Sequence, residues 1–134
     1  MKKVLGKILI ILFIISIPFC YFIYDNLFPK ADPITSPEIE NVMSISITLE
    51  NSETYVMEEK RIEGFLEIIS DSKPTRTLAL NEVPGIEKYY SIVIHTSERE
   101  VYYFIYKEDS KVYIFAPYEG VYEADQKILS FIFE

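Results

Sequence analysis

The sequence predicts an α+β protein in which one N-terminal transmembrane helix precedes a small domain, an antiparallel β-meander packed against one main helix and a short C-terminal helix. Three observations predict this fold: a long uncharged apolar run, one stretch of helical periodicity, and several stretches that alternate as strands do. The predicted regions are a cytoplasmic basic end and signal anchor (1–24), a proline-rich tether (25–37) and an extracytoplasmic α+β domain (38–134).

The apolar run determines the predicted location. Lysines at positions 2, 3 and 7 precede the uncharged segment Ile8–Tyr24, and Asp25 follows it. About twenty apolar residues span a bilayer, and basic residues remain on the cytoplasmic side. A single-pass protein with a cytoplasmic N-terminus is therefore predicted. Secretion after signal cleavage is the alternative, but the end of the run contains no A-x-A-like cleavage site. Lipoprotein processing at Cys20 needs a small residue before the cysteine, and Phe19 is large.

The tether is predicted from Pro29, Pro33 and Pro37, which favour an extended chain. In the domain, Ile62, Phe65, Leu66 and Ile69 form one apolar stripe, which predicts a helix over 58–70. The predicted strands cover residues 43–49, 54–57, 75–80, 89–95, 100–106 and 111–115.

The register predicted from hairpin loops pairs Ile94 with Val101 and Ile105 with Val112. It divides the side chains of the central strands between two faces. The aliphatic face comprises Tyr90, Ile92, Ile94, Val101, Tyr103, Ile105, Val112 and Ile114. The aromatic face comprises Tyr89, Ser91, Val93, His95, Glu100, Tyr102, Phe104, Tyr106, Tyr113 and Phe115.

Two interpretations of the aromatic face remain open. In the first, the C-terminal segment folds back over it with Val121, Ile128, Phe131 and Phe133. In the second, the face stays partly open as a recognition surface, because tyrosine combines an apolar ring with a polar tip. The candidate binding residues are then Tyr102, Phe104, Tyr106, Tyr113, Phe115 and His95.

The sequence carries few signs of catalysis. Cys20, the single cysteine, lies in the apolar run, and the single histidine, His95, cannot form a multi-histidine zinc site. No G-x-S-x-G motif accompanies it. Glu59, Glu63 and Glu67 share one helix face, opposite the apolar stripe. A protein without catalytic residues, metal or cofactor is expected.

The charge of the predicted domain indicates its partners. From Glu38 onward nineteen acidic residues face nine basic ones, a net charge of −10. Such a charge repels nucleic acid and favours a protein or basic-peptide partner. The predicted function is non-catalytic binding, as an accessory module at the cell surface. The alternatives are a cell-envelope hydrolase that uses acidic residues such as Glu63 and Glu67, and a structural subunit that acts through its anchor.

The aromatic segments of the C-terminal half also suggest a family. These are Tyr89-Tyr90-Ser91-Ile92, Val101-Tyr102-Tyr103-Phe104-Ile105-Tyr106, Lys111-Val112-Tyr113-Ile114 and Pro117-Tyr118-Glu119-Gly120-Val121-Tyr122. Together they resemble the DUF5301-type domain of small bacterial membrane-anchored proteins of unknown function. The resemblance implies a bacterial surface location and supplies no functional residues. In the last segment, Gly120 is expected to provide a backbone position with positive φ.

Overall fold

The computed structural model describes residues 2–50 and 52–133, so Met1, Asn51 and Glu134 of the predicted regions lie outside it. The chain forms two compact units, Met1–Lys30 and Ala31–Glu134. The first unit contains helix α1, Lys2–Leu27, with Pro18 inside it. Its segment Gly6–Leu27 has a mean hydropathy of 2.3. This helix is long and apolar enough to serve as a membrane anchor or a signal sequence.

The second unit is built on one seven-stranded antiparallel sheet, which confirms the α+β class. The strands are β1 (Val42–Thr48), β2 (Thr54–Val56), β3 (Lys73–Pro74), β4 (Tyr90–Thr96), β5 (Glu100–Glu108), β6 (Lys111–Ala116) and β7 (Gly120–Ala124). Their order across the sheet is β2-β1-β4-β5-β6-β7-β3. Helix α2 is Glu59–Ser70, and 3₁₀ helices cover Ile39–Asn41 and Gln126–Phe131.

The aliphatic face forms the main core, as the periodicity predicts. All four residues of the α2 stripe are buried and join the sheet's isoleucines in one cluster. The C-terminal 3₁₀ helix belongs to the same cluster, because Ile128 and Ile132 are buried there. The Tyr55 hydroxyl donates to the Ile132 carbonyl, and Arg61 donates to the Ser130 carbonyl at 2.6 Å. The prediction that the C-terminal segment covers the aromatic face is therefore wrong for Ile128, Phe131 and Phe133, whereas Val121 on β7 does pack with Phe104, Tyr106 and Phe115.

The register of β4 with β5 is confirmed, since Ile94 pairs with Val101. The predicted register of β5 with β6 is wrong by two residues, because Ile105 pairs with Ile114 and Lys107 with Val112. The cause is a two-residue turn at Asp109 and Ser110, both with positive φ, where a four-residue loop was expected. A register shift of two residues keeps every side chain on the same face of the sheet, so the predicted assignment of residues to the two faces is still correct.

Strand β1 begins with an irregularity. The register shifts between Val42 and Ser44, so Met43 has no partner on β4 and its side chain is exposed. Ile45 and Ile47 are fully buried, as the alternation predicts. The period of two in the sequence predicts that Met43 shares their face, and this prediction is wrong, because a bulge reorients the residue that it contains.

The second half of the predicted tether belongs to the domain unit. Residues 25–27 end α1, while residues 31–37 pack against the sheet. Ile34 is buried in the main core, and the Ala31 amide donates to the Thr75 carbonyl at 3.0 Å. The Tyr103 hydroxyl also donates to the Thr35 carbonyl at 3.3 Å. A fully extended tether over 25–37 is therefore not what the structure shows.

The segment 75–89 differs from its prediction in both form and position. Residues 75–80 form no strand, and the short strand β3, which pairs with β7, ends before them at Pro74. Ala79 is buried beside Phe104, Tyr106, Phe115 and Val121, with Ile86 and Tyr89 packed against them. This segment therefore covers part of the aromatic face.

Candidate functional site

The aromatic face is divided into a covered and an open part. Phe104, Tyr106 and Phe115 are buried beneath residues 79–89, and Tyr89 meets Phe104 edge-on with ring centroids 5.3 Å apart. Burial raises the pKa of Tyr106 to about 12. Tyr113 stacks on Tyr106 at 5.5 Å and is half-buried. These four residues of the predicted binding set serve a second hydrophobic core.

Tyr102 and His95, the other two predicted binding residues, lie in the open part. Tyr102 is 46% exposed, and it borders a cleft with a volume of about 460 Å³. The cleft lies between the start of β5, the β6–β7 turn and the loop at residues 82–83. Its lining residues are Glu82, Val83, Arg99, Glu100, Val101, Tyr102, Tyr103, Phe104, Ala116, Pro117, Tyr118 and Glu119. The cleft therefore combines apolar and aromatic walls with three carboxylates and one guanidinium.

Tyr118 is one of the cleft residues that sequence reasoning missed, together with Glu82, Val83, Arg99 and Glu119. It has a φ of 63°, follows Pro117, and lies in a turn closed by the Glu119 amide and the Ala116 carbonyl at 3.1 Å. These are features of a type II turn, whose third position normally holds glycine. The Tyr118 amide donates to the Ala79 carbonyl at 2.8 Å, and its side chain is 67% exposed. The exposed ring of Tyr118 is thus carried by a backbone conformation that is unfavourable for a bulky residue.

Gly120 does not have the positive φ expected of it, since no described glycine does. A Cβ atom at Gly120 would lie 2.4 Å from the Ala31 Cβ. The glycine is therefore needed for the close approach of segment 31–37 to β7, and the sequence prediction for its role is wrong. The pattern Pro-Tyr-x-Gly contained a signal for a turn, but not for which residue would carry the positive φ.

A hydrogen-bonded series runs across the open part of the aromatic face. Ser46 Oγ lies 3.0 Å from His95 Nε2, and His95 Nδ1 lies 3.0 Å from Glu100 Oε1. The Tyr102 hydroxyl donates to the other oxygen of Glu100. The hydrogen bond from Tyr102, together with the nearby His95, lowers the pKa of Glu100, and the same bond raises the pKa of Tyr102. Sequence reasoning found no serine partner for His95, because Ser46 is 49 residues away.

Of the acidic residues of α2, Glu67 lines a further cavity of about 670 Å³, together with Asp71, Glu123 and Asp125. Glu59, Glu63 and Glu67 are exposed on the solvent side of the helix. Among the residues that the structure describes, no group of three or more His, Cys, Asp or Glu side chains could hold a metal ion.

Comparison with known proteins gives the family. The profile of DUF5301, described as a domain of unknown function (DUF5300), matches residues 30–123. The chain belongs to this family. The match begins at Lys30, next to the first residue of the domain unit, and includes the cleft and the Ser46–His95–Glu100 series. The resemblance of the aromatic segments to DUF5301 is therefore confirmed.

A solved structure supports the fold of this DUF5301 member. It is an NMR structure of a protein from Ruminococcus gnavus, with 35% sequence identity and a TM-score of 0.58. The similarity covers 68% of this chain and 89% of that one. No curated protein matches the chain.

Proposed function

We propose that this DUF5301 protein is a binding module that α1 anchors in the membrane, with a cytoplasmic N-terminus and the domain on the outer side. Its partner is a protein segment or peptide that carries basic and apolar side chains, and it binds in the cleft beside Tyr102 and Tyr118. The observation that supports this proposal is the composition of the cleft. Exposed Val83, Tyr102 and Tyr118 accompany the carboxylates of Glu82, Glu100 and Glu119.

Charge and shape both favour such a partner. Exposed tyrosines supply contact area at a low entropy cost, and their hydroxyls remain available for hydrogen bonds. The carboxylates outnumber the single guanidinium of Arg99 in the cleft, and the domain has a net charge of −10 from Glu38 onward. A basic segment is therefore attracted from a distance and can bury an apolar side chain against the rings.

The backbone of Tyr118 gives independent support. A bulky residue with positive φ costs on the order of 1 kcal/mol or more. Here that conformation presents an exposed ring at the edge of the cleft. Strain of this kind is common at binding sites, where the position of a side chain matters more than local stability.

Peptide titration of the full chain in detergent micelles tests the proposal. The probes are lysine-rich peptides with one phenylalanine, and matched glutamate-rich peptides serve as controls. We expect saturable binding of the basic peptides that Val83→Lys weakens at least tenfold, because the variant removes an apolar wall and adds a charge that repels the peptide. The control variant is Val56→Lys, which places the same charge on an exposed residue of β2, outside the cleft. Equal binding by both variants, or no preference for basic peptides, would refute the binding proposal.

The orientation has its own test. Alkaline phosphatase is active only outside the cytoplasm, so a fusion to the C-terminus of the chain should be active in a bacterial host. A fusion to the N-terminus should be inactive. The reverse pattern would overturn the proposed orientation and leave the cleft unaffected.

A further inference from the structure

The hydrogen bonds around His95 determine which ring nitrogen carries a proton. Glu100 has a lowered pKa and is therefore ionised at neutral pH, and an ionised carboxylate can only accept hydrogen bonds. His95 Nδ1 must then donate to Glu100 Oε1 across their 3.0 Å contact. In the neutral ring Nε2 is left as an acceptor, so the Ser46 hydroxyl donates to it across 3.0 Å.

This arrangement has the order of a serine nucleophile, a general base and an orienting acid. We propose that Ser46, His95 and Glu100 form an acyl-transfer site that acts on carboxylic esters, an activity distinct from the partner binding proposed above, with Glu100 shared between the two sites. Ser46 is the nucleophile, His95 the general base, and Glu100 a positioning residue that fixes the tautomer of His95. Such triads are recognised by geometry and roles, and they occur on unrelated folds without a shared sequence motif.

The surroundings of the three residues are compatible with a reacting ester. All three lie on the aromatic face, outside the part covered by residues 79–89, and the side chains of His95 and Glu100 are 35% and 49% exposed. A shallow cavity of about 500 Å³ is lined by Met43, Ser44, His95 and Glu100, among others. Half-buried Ser46 is not part of this lining and is linked to it by the 3.0 Å contact of its Oγ with His95 Nε2. The open shape of the cavity favours an extended or polymeric ester over a small enclosed substrate.

As part of this proposal, the oxyanion is stabilised at the β1 bulge, where Met43 and Ser44 line the cavity. Met43 has no register partner on β4 or β2 among the described strand residues. Bulges of this kind occur next to active sites, where they redirect backbone groups. Ser44, two residues before the proposed nucleophile in β1, lines the same cavity and carries a hydroxyl that can donate a hydrogen bond.

The proposed reaction balances with water as the only co-reactant. Ser46 Oγ bonds to the acyl carbon while its proton passes to His95 Nε2. The imidazolium then gives this proton to the departing alkoxide as the carbon–oxygen bond of the ester breaks. Water, deprotonated by the same nitrogen, attacks the acyl-serine, and the carboxylic acid and the free Ser46 hydroxyl are released.

A covalent probe tests the nucleophile directly. The full chain in detergent micelles is treated with a fluorophosphonate reporter, and the adduct is located by mass spectrometry of peptides. We expect labelling of Ser46 that is absent in Ser46→Ala and at least tenfold slower in His95→Gln. The control Ser91→Ala, which removes a hydroxyl from β4 on the same face, should be labelled at the wild-type rate.

Two further outcomes decide the role of Glu100 and the proposal itself. Glu100→Gln supplies an amide that can donate to Nδ1 of His95. The ring proton then moves to Nε2, which can no longer accept the proton of Ser46, so labelling at neutral pH should slow while Ser46 stays in place. A purely structural network would give no adduct on Ser46 in a folded protein. That result, or labelling at the same rate in His95→Gln, would overturn the proposal.

Discussion

Tyr118 and Gly120, two residues apart in the β6–β7 hairpin, are constrained in different ways. Gly120 has an ordinary φ but no room for a Cβ, because Ala31 lies against it. Tyr118 has room for a large exposed ring but holds a φ of 63° that suits glycine better. The residue with the left-handed backbone is thus the tyrosine, while the glycine serves close packing.

Gly120→Ala is expected to destabilise the domain by about 1–3 kcal/mol, because its Cβ would displace the chain at Ala31. Urea unfolding followed by circular dichroism measures the change. Gly85→Ala is the matched control, since nothing lies within 4 Å of a Cβ there, and it should be neutral or slightly stabilising. If the Ala31 contact is the cause, Ala31→Gly should restore most of the stability lost in Gly120→Ala.

Tyr118→Gly is expected to stabilise the domain by about 0.5–1 kcal/mol, because the relief of strain exceeds the added chain entropy of glycine. The same variant should bind basic peptides at least tenfold more weakly, because the exposed ring is gone. Thermal unfolding and peptide titration measure the two effects. Tyr118→Asn, which tolerates positive φ but has no ring, should behave similarly; a loss of stability in both variants would contradict the strain argument.

At the scale of elements, a local sequence pattern predicts a helix or strand correctly when that element buries one apolar face of its own. The stripe of α2 and the alternation of β1 at Ile45 and Ile47 were predictable, since each presents a single apolar face. Residues 75–80 also alternate, but Ala79 is buried while Leu78 and Leu80 are exposed. Ala79 is buried because it packs against residues of β6 and β7, and the sequence of residues 75–80 alone does not show these contacts.

The candidate site was only partly predictable for the same reason. The aromatic face was assigned correctly, but which half stays open depends on where residues 79–89 lie. The pairing of β1 with β4 brings Ser46 to His95, and this contact depends on the order of strands in the sheet. Hairpin reasoning links only neighbouring strands in sequence, so it could not supply this contact.

The β5–β6 turn permits a prediction at this scale. Ser110 has a φ of 63° after Asp109 with a φ of 48°, a pair that matches the turn in which Asn-Gly is preferred. Ser110→Gly should stabilise the domain by about 0.4–1 kcal/mol, as measured by urea unfolding. Ser97→Gly in the β4–β5 loop, where φ is not positive, should instead be neutral or destabilising. Equal gains in both variants would argue against the turn assignment.

For the whole molecule, buried tyrosines link stability to alkaline pH. Burial raises the pKa of Tyr106 to about 12 and also raises the pKa of Tyr103. Tyrosine in an unfolded chain titrates near pH 10, so the unfolded state loses its protons first. Stability is therefore intact below about pH 10 and is lost as the pH rises towards 12.

Tyr106→Phe isolates one contribution to this alkaline loss. The variant should retain its stability at pH 8, because the ring is kept, and its stability should fall less steeply above pH 10 than that of the wild type. Urea unfolding at pH 8, 10 and 11 measures the difference. Identical pH slopes for the two proteins would show that the Tyr106 hydroxyl ionises as freely in the folded state as in the unfolded chain.

The packing of residues 31–37 limits where a protease could release the domain intact. Helix α1 ends at Leu27, and the domain unit begins at Ala31, whose amide is already bonded to Thr75. Cleavage beyond Ile34 would remove a side chain from the main core and leave a cavity in it. Cuts at Phe28, Pro29 or Lys30 would release a domain that keeps this core and the bond from the Ala31 amide, and the peptide bond after Lys30 is a trypsin site.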